Sequence, residues 1–373
     1  MKRLAIVLIL CLVGLVPARA QFTDAKSVGS WMTYYYVDKD VSHIDAYVHW
    51  IAANDFSKTP NVAMPTTAFL AAVFGDNPAR VRGWISDVAP NASAKDVIER
   101  ALWLSGHADL IKDVFHDVPD YLTQKPPSFA TWALTMPSSW DAMWAAFSST
   151  GNTAYPARLV NLLDDSVTFT GNAKVDAVYR RTVAWSLSAN AGQHELILRM
   201  LRQEAQKRTG PVQLMLKAMI AKAEAQHVAM ADCDGDLCAT LSLISEDNLK
   251  ELAKPFDQAP VLTQLSQAKI GDRIAVDISF AGMALADDLS GDVVYDIKTI
   301  RPDGMLYGEA HKDLVALKRK VPQRFFIFDN RPDLLIIRFE KQDPRGTYRI
   351  EVVVKDKIGG KSLKLAKDVT LKD

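Results

Sequence analysis

The stretch Ile274-Ala-Val-Asp-Ile-Ser-Phe280 alternates apolar with polar side chains, and Val293-Val-Tyr-Asp-Ile-Lys-Thr-Ile300 repeats the pattern up to the turn Arg301-Pro-Asp-Gly304. Successive side chains of a strand point to opposite faces of a sheet, so this period of two predicts strands with a buried face. About seven short strands in residues 257–373 predict an antiparallel β-sandwich. The other strand-like segments, separated by turn residues, are 314–318, 325–328, 334–339, 348–354 and 363–371.

One of these turns has a recognisable pattern. The segment Asp343-x-x-Gly346-x-Tyr348-x-Ile350 resembles the corner that leads into strand F of immunoglobulin domains. The resemblance implies an immunoglobulin-like sandwich in which the Tyr348 hydroxyl bonds a backbone group upstream. Ile350 stands where the disulfide cysteine would be, and the Asp–Gly spacing is one residue longer than in antibodies. The likeness covers the C-terminal third and implies a fold, which by itself implies no activity.

Residues from about 31 to 256 follow a helical period instead. Four segments resemble one another, each with an alanine-rich helix end, a small turn residue and a second aliphatic helix: 71–85, 101–115, 145–163 and 184–201. Hairpins of this size bury their apolar faces by stacking on neighbours, which predicts an α-solenoid-like domain of helical-hairpin repeats over residues 21–256. A non-repetitive helical bundle is the alternative.

Part of the helical region resembles uncharacterised bacterial secreted helical-repeat proteins. The matching residues are Asp141-x-x-Trp144-x-x-Phe147-x-x-Thr150-Gly151, followed by Trp185-Ser-Leu-x-x-Asn190. A more distant similarity to ankyrin-type helix pairs surrounds Leu104-Ser-Gly-His107, without the hairpin residues of that family. No activity follows from either resemblance.

The first twenty residues predict export. Lys2 and Arg3 precede an apolar run, which ends at the small-residue site Ala18-Arg19-Ala20. This is the order of a signal peptide over residues 1–20, cleaved before Gln21, and a retained anchor is the alternative. We therefore expect a periplasmic or extracellular protein, with no transmembrane segment once the signal is removed.

The charge balance bears on the partner. The full chain carries 44 basic and 44 acidic residues, and cleavage removes only basic ones, Lys2, Arg3 and Arg19. A general nucleic-acid-binding protein needs a basic face, so a slightly acidic mature chain argues against nucleic acid as the partner. A protein partner is the expectation, and the oligomeric state stays open.

Two cysteines, Cys233 and Cys238, remain after the signal peptide. An even pair in an exported protein predicts a disulfide bond, and Gly235 between them permits a tight turn. The entropy of so short a loop gives roughly 2 kcal/mol at best. A redox or zinc site would favour a Cys-x-x-Cys spacing and is the weaker alternative.

The motifs of nucleophilic and phosphate-binding enzymes are absent from the sequence, and we assign no catalytic, cofactor-binding or metal-binding residue. His107, Asp109, Asp113, His116 and Asp117 form the densest group that could bind a metal or transfer protons, although a solvated helix face is the preferred interpretation. Two acidic loops suggest calcium, with turn formation as the alternative: Asp232, Asp234 and Asp236, and Asp287, Asp288 and Asp292.

Aromatic residues concentrate early in the helical region. They could line a peptide or glycan groove, but at helical spacing they more commonly form core. The set comprises Trp31, Tyr34, Tyr35, Tyr36, Tyr47, Trp50, Trp140 and Trp144.

The preferred function is a non-enzymatic binding or scaffold protein of the cell envelope, because helical arrays offer extended surfaces. A hydrolase or lyase acting on envelope polymers through paired carboxylates is one alternative. An assembly factor of a secretion or surface apparatus, accepting a partner strand at a sheet edge, is another.

Overall fold

A computed structural model describes residue 22 and residues 24–54, 60–86, 92–115, 119–225, 230, 232–249, 263–331 and 334–372. The chain divides into two compact units between Asn152 and Thr153, here called unit 1 and unit 2. The predicted signal peptide and the predicted domain boundary at residues 256 and 257 lie outside the described residues.

The described residues begin with helices and continue into strands. Unit 1 contains α1 (Ala25–Asp38), α2 (Ile44–Asn54), α3 (Pro60–Asp76), α4 (Pro78–Ile85), α5 (Ala92–Leu104), α6 (Ala108–Phe115) and α7 (Pro137–Thr150). Unit 2 opens with α8 (Ala154–Val160), α9 (Ala173–Gln193), α10 (Glu195–Lys207) and α11 (Gly210–Glu224). None of the described helices has the length and apolar character to cross a membrane.

The helix breaks fall inside all four of the similar segments, as the sequence predicts. Gly106 and Gly151 adopt positive φ angles of 85° and 75°, the left-handed conformation that reverses the chain after a helix. At the fourth break His194 has an extended backbone, with φ of −131°, and its side chain is buried.

Helix α3 forms the centre of unit 1. It packs against α5 and α7, and α1 packs against α7. Phe69 and Phe74 on α3 and Phe147 on α7 are completely buried. Because residues 66–71 are all buried, the middle of α3 is surrounded by other parts of the unit and needs no polar face.

The strands of unit 2 form two sheets that are antiparallel except where β10 pairs with β3. The first sheet has the order β1-β2-β4-β7, with β8 also on β4, and the second has the order β3-β10-β9-β5-β6. Their bounds are β1 (Asp232–Asp234), β2 (Leu237–Ser245), β3 (Gln267–Ala268), β4 (Arg273–Ala281), β5 (Ser290–Ile300), β6 (Leu306–Lys320), β7 (Phe328–Asp329), β8 (Ile336–Arg338), β9 (Gly346–Asp356) and β10 (Lys361–Leu371).

Two secondary-structure predictions are wrong. Residues 232–245, which we expected to be helical, form β1 and β2. The prediction failed because β2 is buried on both faces, and an apolar run of that kind lacks the alternation that identifies a strand. The strand expected at 325–328 is a turn as far as residue 327, and only Phe328 enters β7. The aromatic run at this point is explained by burial of Phe325 in a turn.

The two sheets share one apolar core. Alternate side chains of β4, including Ile274 and Phe280, pack in the same cluster as Tyr348 and Ile350 of β9. The predicted backbone bond of Tyr348 is present, since its hydroxyl donates to the carbonyl oxygen of Pro344 at 3.0 Å. Gly346, with φ of 133°, lets this corner pass close to Pro302, which a Cβ would meet at 2.8 Å.

Polar contacts join α10 to the strands within unit 2. The backbone N–H of Glu195 donates to the carbonyl oxygen of Pro322 at 2.7 Å. The Arg199 guanidinium donates to the carbonyl oxygens of Leu285 and Ala286 at 3.1 and 3.3 Å. The first turns of α10 are therefore fixed to the loops that connect the strands.

Candidate binding site

A cleft of about 350 Å³ opens in unit 1 between α3, α5 and the segment that precedes α7. Its volume lies within the ordinary range for small-ligand and peptide-side-chain sites. The walls combine two indole rings, aliphatic side chains and two charged residues, one acidic and one basic. The lining residues are Ala63, Met64, Thr67, Asp96, Val97, Arg100, Trp103, Leu104, Pro127 and Trp132.

One wall of the cleft is a stretch of chain without helix or strand, residues 124–136. Trp103 of α5 holds the start of this stretch, because its Nε1–H donates to the carbonyl oxygen of Gln124 at 2.7 Å. Trp132 lies further along the same stretch, and its ring centroid is 5.2 Å from that of Phe129. The two indoles thus reach the cleft from different parts of the fold.

The charged lining residues both come from α5. Asp96 and Arg100 are four residues apart, so they lie on neighbouring turns of one helix face, and both are exposed. Asp96 contributes the one carboxylate among the described lining residues. The cleft therefore offers aromatic and aliphatic contact inside and polar contact from α5.

The predicted metal or acid–base group is only partly described. Asp113 pairs with Arg82, whose Nη2 lies 2.5 Å from the carboxylate. His116 and Asp117 lie outside the described residues. Within the part of the chain that the structure describes, no three histidine, cysteine or acidic side chains are placed to share a metal ion.

The acidic loops form turns and ion pairs. Asp288 accepts hydrogen bonds from the backbone N–H and the hydroxyl of Ser290, the turn geometry given as the alternative to calcium binding. Asp292 lies 3.6 Å from the ammonium group of Lys318. Asp236 lies 3.2 Å from the guanidinium group of Arg324.

The cysteine pair lies in the β1–β2 hairpin. Cys233 and Cys238 are direct cross-strand partners, and their Sγ atoms are 2.08 Å apart, a disulfide distance. Gly235 turns the hairpin with φ of 64°. Gly282 lies against it, where a Cβ would overlap the carbonyl oxygen of Asp236.

Half of the eight aromatic residues singled out in the sequence are buried in the core of unit 1. Tyr35, Tyr36, Tyr47 and Trp140 are buried, and Trp31 makes edge contacts with Tyr35 at a centroid distance of 5.5 Å. Burial raises the pKa of Tyr35 to about 12. The four buried side chains are therefore core residues.

Two buried titratable groups in unit 2 escaped the sequence analysis. Burial raises the pKa of Asp277 to about 6, and Ser279 Oγ donates to its Oδ2 at 3.1 Å. Its Oδ1 has no hydrogen-bond partner among the described residues. Burial lowers the pKa of His194 to about 3.

The sequence analysis did not single out Trp103 or Trp132 either. They are separated along the chain, and only the packing of residues 124–136 near α5 brings both to one cleft. The sequence feature that could have indicated this wall of the cleft is the Pro126-Pro127 pair, which predicts an extended stretch of chain.

No protein-family model and no curated protein matches this chain. Among solved structures, it is similar to a family 123 glycoside hydrolase from Clostridium perfringens, at 12% identity over 37% of this chain and 27% of that one, with a TM-score of 0.23. A Niemann-Pick type C2 protein from Japanese carpenter ant matches at 10% identity over 28% and 79%, with a TM-score of 0.21. The Pseudomonas fluorescens alkylpurine DNA glycosylase AlkC, bound to abasic-site DNA, matches at 13% identity over 88% and 82%, with a TM-score of 0.23. Similarities this weak carry no argument about fold or function.

Proposed function

We propose that this chain is a non-enzymatic binding or scaffold protein of the cell envelope, and that the cleft of unit 1 binds an apolar segment of a partner protein. The observation that carries the proposal is the cleft of about 350 Å³ with Trp103 and Trp132 in its walls. Indole rings give large, rigid contact area and recur as energetic centres of protein interfaces.

Part of the chain already covers α5 in the way that we expect of the occupant. Residues 124–136 are an irregular stretch of polypeptide lying beside this helix, fastened by the hydrogen bond from the Trp103 indole to a backbone carbonyl. An extended peptide offers the same carbonyl groups and apolar side chains. Asp96 and Arg100 would then contact the polar backbone or charged ends of the bound segment.

The compartment and the finer fold belong to the same proposal. The Lys2-Arg3 start with its apolar run supports export, and the disulfide distance of Cys233 and Cys238 is compatible with an oxidising compartment. The shared core of the two sheets and the Tyr348 corner support an immunoglobulin-like sandwich. Three pairs of consecutive helices that pack together within one unit, α3–α4, α5–α6 and α9–α10, support a divergent repeat.

One observation favours the assembly-factor alternative. Among the described residues, strand β6 (Leu306–Lys320) lies at one edge of the second sheet, opposite the two-residue β3, and an edge of this length could accept a partner strand. However, its pairing with β5 contains three register shifts, and Asp313 has a positive φ of 53°. Irregular and charged edges resist added strands, so we rank this function second.

Site-specific photo-cross-linking in the expressing cell tests the proposal. The photoreactive residue p-benzoylphenylalanine replaces Trp132, and in a matched control it replaces Ile327, an apolar residue of unit 2 that is 70% exposed. We expect one reproducible protein adduct from position 132 that position 327 does not give. Identical adducts from both positions, or none from position 132, would contradict the proposal.

A further inference from the structure

Helix α9 exposes apolar side chains that its own unit leaves uncovered. Trp185 is 70% exposed, Val178 49% and Val175 37%. Large apolar side chains that cluster on a surface mark sites of interaction, whereas isolated ones need no explanation. The position of these three therefore decides whether they form a site.

The exposed residues follow a heptad spacing. Val175, Val178, Thr182, Trp185 and Ala189 are separated by three, four, three and four residues, which is the a/d pattern of helices that pack side by side. The inner face of α9 carries a separate buried set, which includes Asp176, Val183, Leu187 and Ala191. The helix thus has one seam for its own unit and a second seam on the outside.

The middle of the outer seam is a shallow surface, open to solvent. A surface depression of about 270 Å³ is lined by Val178, Arg181, Thr182 and Trp185. These residues stand at positions i, i+3, i+4 and i+7, the diamond of four residues that receives one side chain of a facing helix. Every exposed helix face has such a diamond, and on α9 it lies between the exposed apolar residues Val178 and Trp185.

The charges beside the seam define the partner. Lys174 and Arg181 flank it, and neither lies within ion-pair distance of an acidic group among the described residues. The one acid of α9, Asp176, is buried and accepts hydrogen bonds from Thr170. The exposed face is therefore apolar and cationic, and its complement is apolar and anionic.

We propose that the outer face of α9 docks an acidic amphipathic helix of a partner protein. A second copy of this chain is disfavoured, because it would place Lys174 and Arg181 against the same cations. A membrane surface is disfavoured, because membrane-binding helices present a broad apolar face, whereas this seam is narrow and includes Thr182. The proposal concerns unit 2 and does not depend on the cleft of unit 1.

Two synthetic helices and one lipid surface test this proposal on the full mature chain. The first peptide has leucine at its a and d positions and glutamate at e and g, over about three heptads, and the second has lysine in place of glutamate. The lipid probe is a vesicle of equal parts phosphatidylcholine and phosphatidylglycerol. Binding is measured by isothermal titration calorimetry, and by flotation for the vesicles.

The variants separate this face from general effects. Trp185→Ser removes the central aromatic residue, and Ile327→Ser removes an equally exposed apolar residue elsewhere in unit 2. Arg181→Glu reverses the flanking charge, and Arg319→Glu makes the same charge change on exposed β6. Circular dichroism of each variant confirms that it is folded before binding is compared.

We expect the glutamate peptide to bind, and Trp185→Ser and Arg181→Glu each to weaken it at least about tenfold while the two controls leave it unchanged. The lysine peptide should bind more weakly than the glutamate peptide. The proposal is overturned if neither peptide binds, if both bind equally, if the controls weaken binding as much, or if the vesicles bind through Trp185 and the glutamate peptide does not.

Discussion

The hydroxyl of Tyr348 donates a hydrogen bond of 3.0 Å to the carbonyl oxygen of Pro344, four residues earlier in the chain. The ring of Tyr348 is buried between the sheets, so this bond fastens the loop before β9 to the core. We expect Tyr348→Phe to lower the free energy of unfolding by about 1–2 kcal/mol, because the carbonyl loses its partner while the ring stays packed. Urea denaturation measures this difference, and an unchanged midpoint would show that the corner bond does not contribute.

Glu195 is the second position where a single change should matter. Its carboxylate is buried, accepts from Arg199 Nε at 3.1 Å and lies 3.7 Å from Arg324 Nε. Glu195→Gln removes the buried counter-charge of Arg199 and leaves Arg324 with Asp236 alone, so we expect a loss on the order of 3 kcal/mol.

The matched control for that change is Glu224→Gln. Glu224 pairs with Arg202 at 2.6 Å, but both side chains are a third or more exposed, so its loss should cost less than about 1 kcal/mol. Thermal unfolding of the two variants compares them directly. Equal losses would mean that the Glu195 cluster is no more than a surface ion pair.

Asp277 should make the folded protein more stable in mild acid than at neutral pH. Burial raises its pKa from 3.8 to about 6, with Asp329 adding to the rise and Ser279 opposing it. The folded state therefore holds a proton that the unfolded state has lost between about pH 4 and 6, and stability falls as the pH rises through this window. Above pH 6 the penalty is constant, at most about 3 kcal/mol.

The variant Asp277→Asn tests this sign. The stability difference, variant minus wild type, should increase from pH 4 to pH 6 and then level off, because only the wild type ionises. Chemical denaturation across that range gives the difference at each pH. A difference that is flat, or that decreases with rising pH, would rule out a buried carboxyl that titrates near 6.

His194 should act in the opposite direction. Burial lowers its pKa from 6.5 to about 3, so below pH 6.5 the unfolded chain binds a proton that the folded chain refuses. Stability is lost as the pH falls, by about 1.4 kcal/mol per unit until the folded group titrates.

We expect His194→Gln to remove that dependence. Measured relative to its own stability at pH 8, the variant should lose about 2 kcal/mol less than the wild type at pH 5. Because each protein is referred to its own value at pH 8, a packing defect from the substitution cancels. Parallel curves for the two proteins between pH 8 and 5 would contradict the buried neutral imidazole.

Local pattern was enough to predict much of this fold. The alternation of residues 274–280 and 293–300 lies within β4 and β5. Three of the four helix breaks fall at the turn residues Asn77, Gly106 and Gly151, whereas α9 continues through its predicted turn and ends before His194. Strand β2 was missed because a strand buried on both faces loses its alternation. The exposed apolar residues of α9 were missed for a similar reason. This helix carries apolar residues on two faces, so its sequence lacks the single apolar stripe expected of a surface helix.

The cleft was beyond prediction for a different reason. Trp103 and Trp132 have no shared motif, and each alone is an ordinary aromatic residue near a helix. Their convergence depends on the path of residues 124–136, which contain no regular structure and hence no period to detect. A site made from a helix and an irregular stretch is defined only by tertiary packing.

The most direct measurement of the central claim is the affinity of the partner segment captured at position 132, made as a synthetic peptide and titrated into three proteins. These are the wild type, Trp132→Ala in the cleft of unit 1 and Trp185→Ser on α9 of unit 2. We predict that the peptide binds the wild type and Trp185→Ser equally and binds Trp132→Ala at least about tenfold more weakly. Equal affinity for the wild type and Trp132→Ala, or no binding of the peptide to the wild type, would contradict a binding function for this cleft.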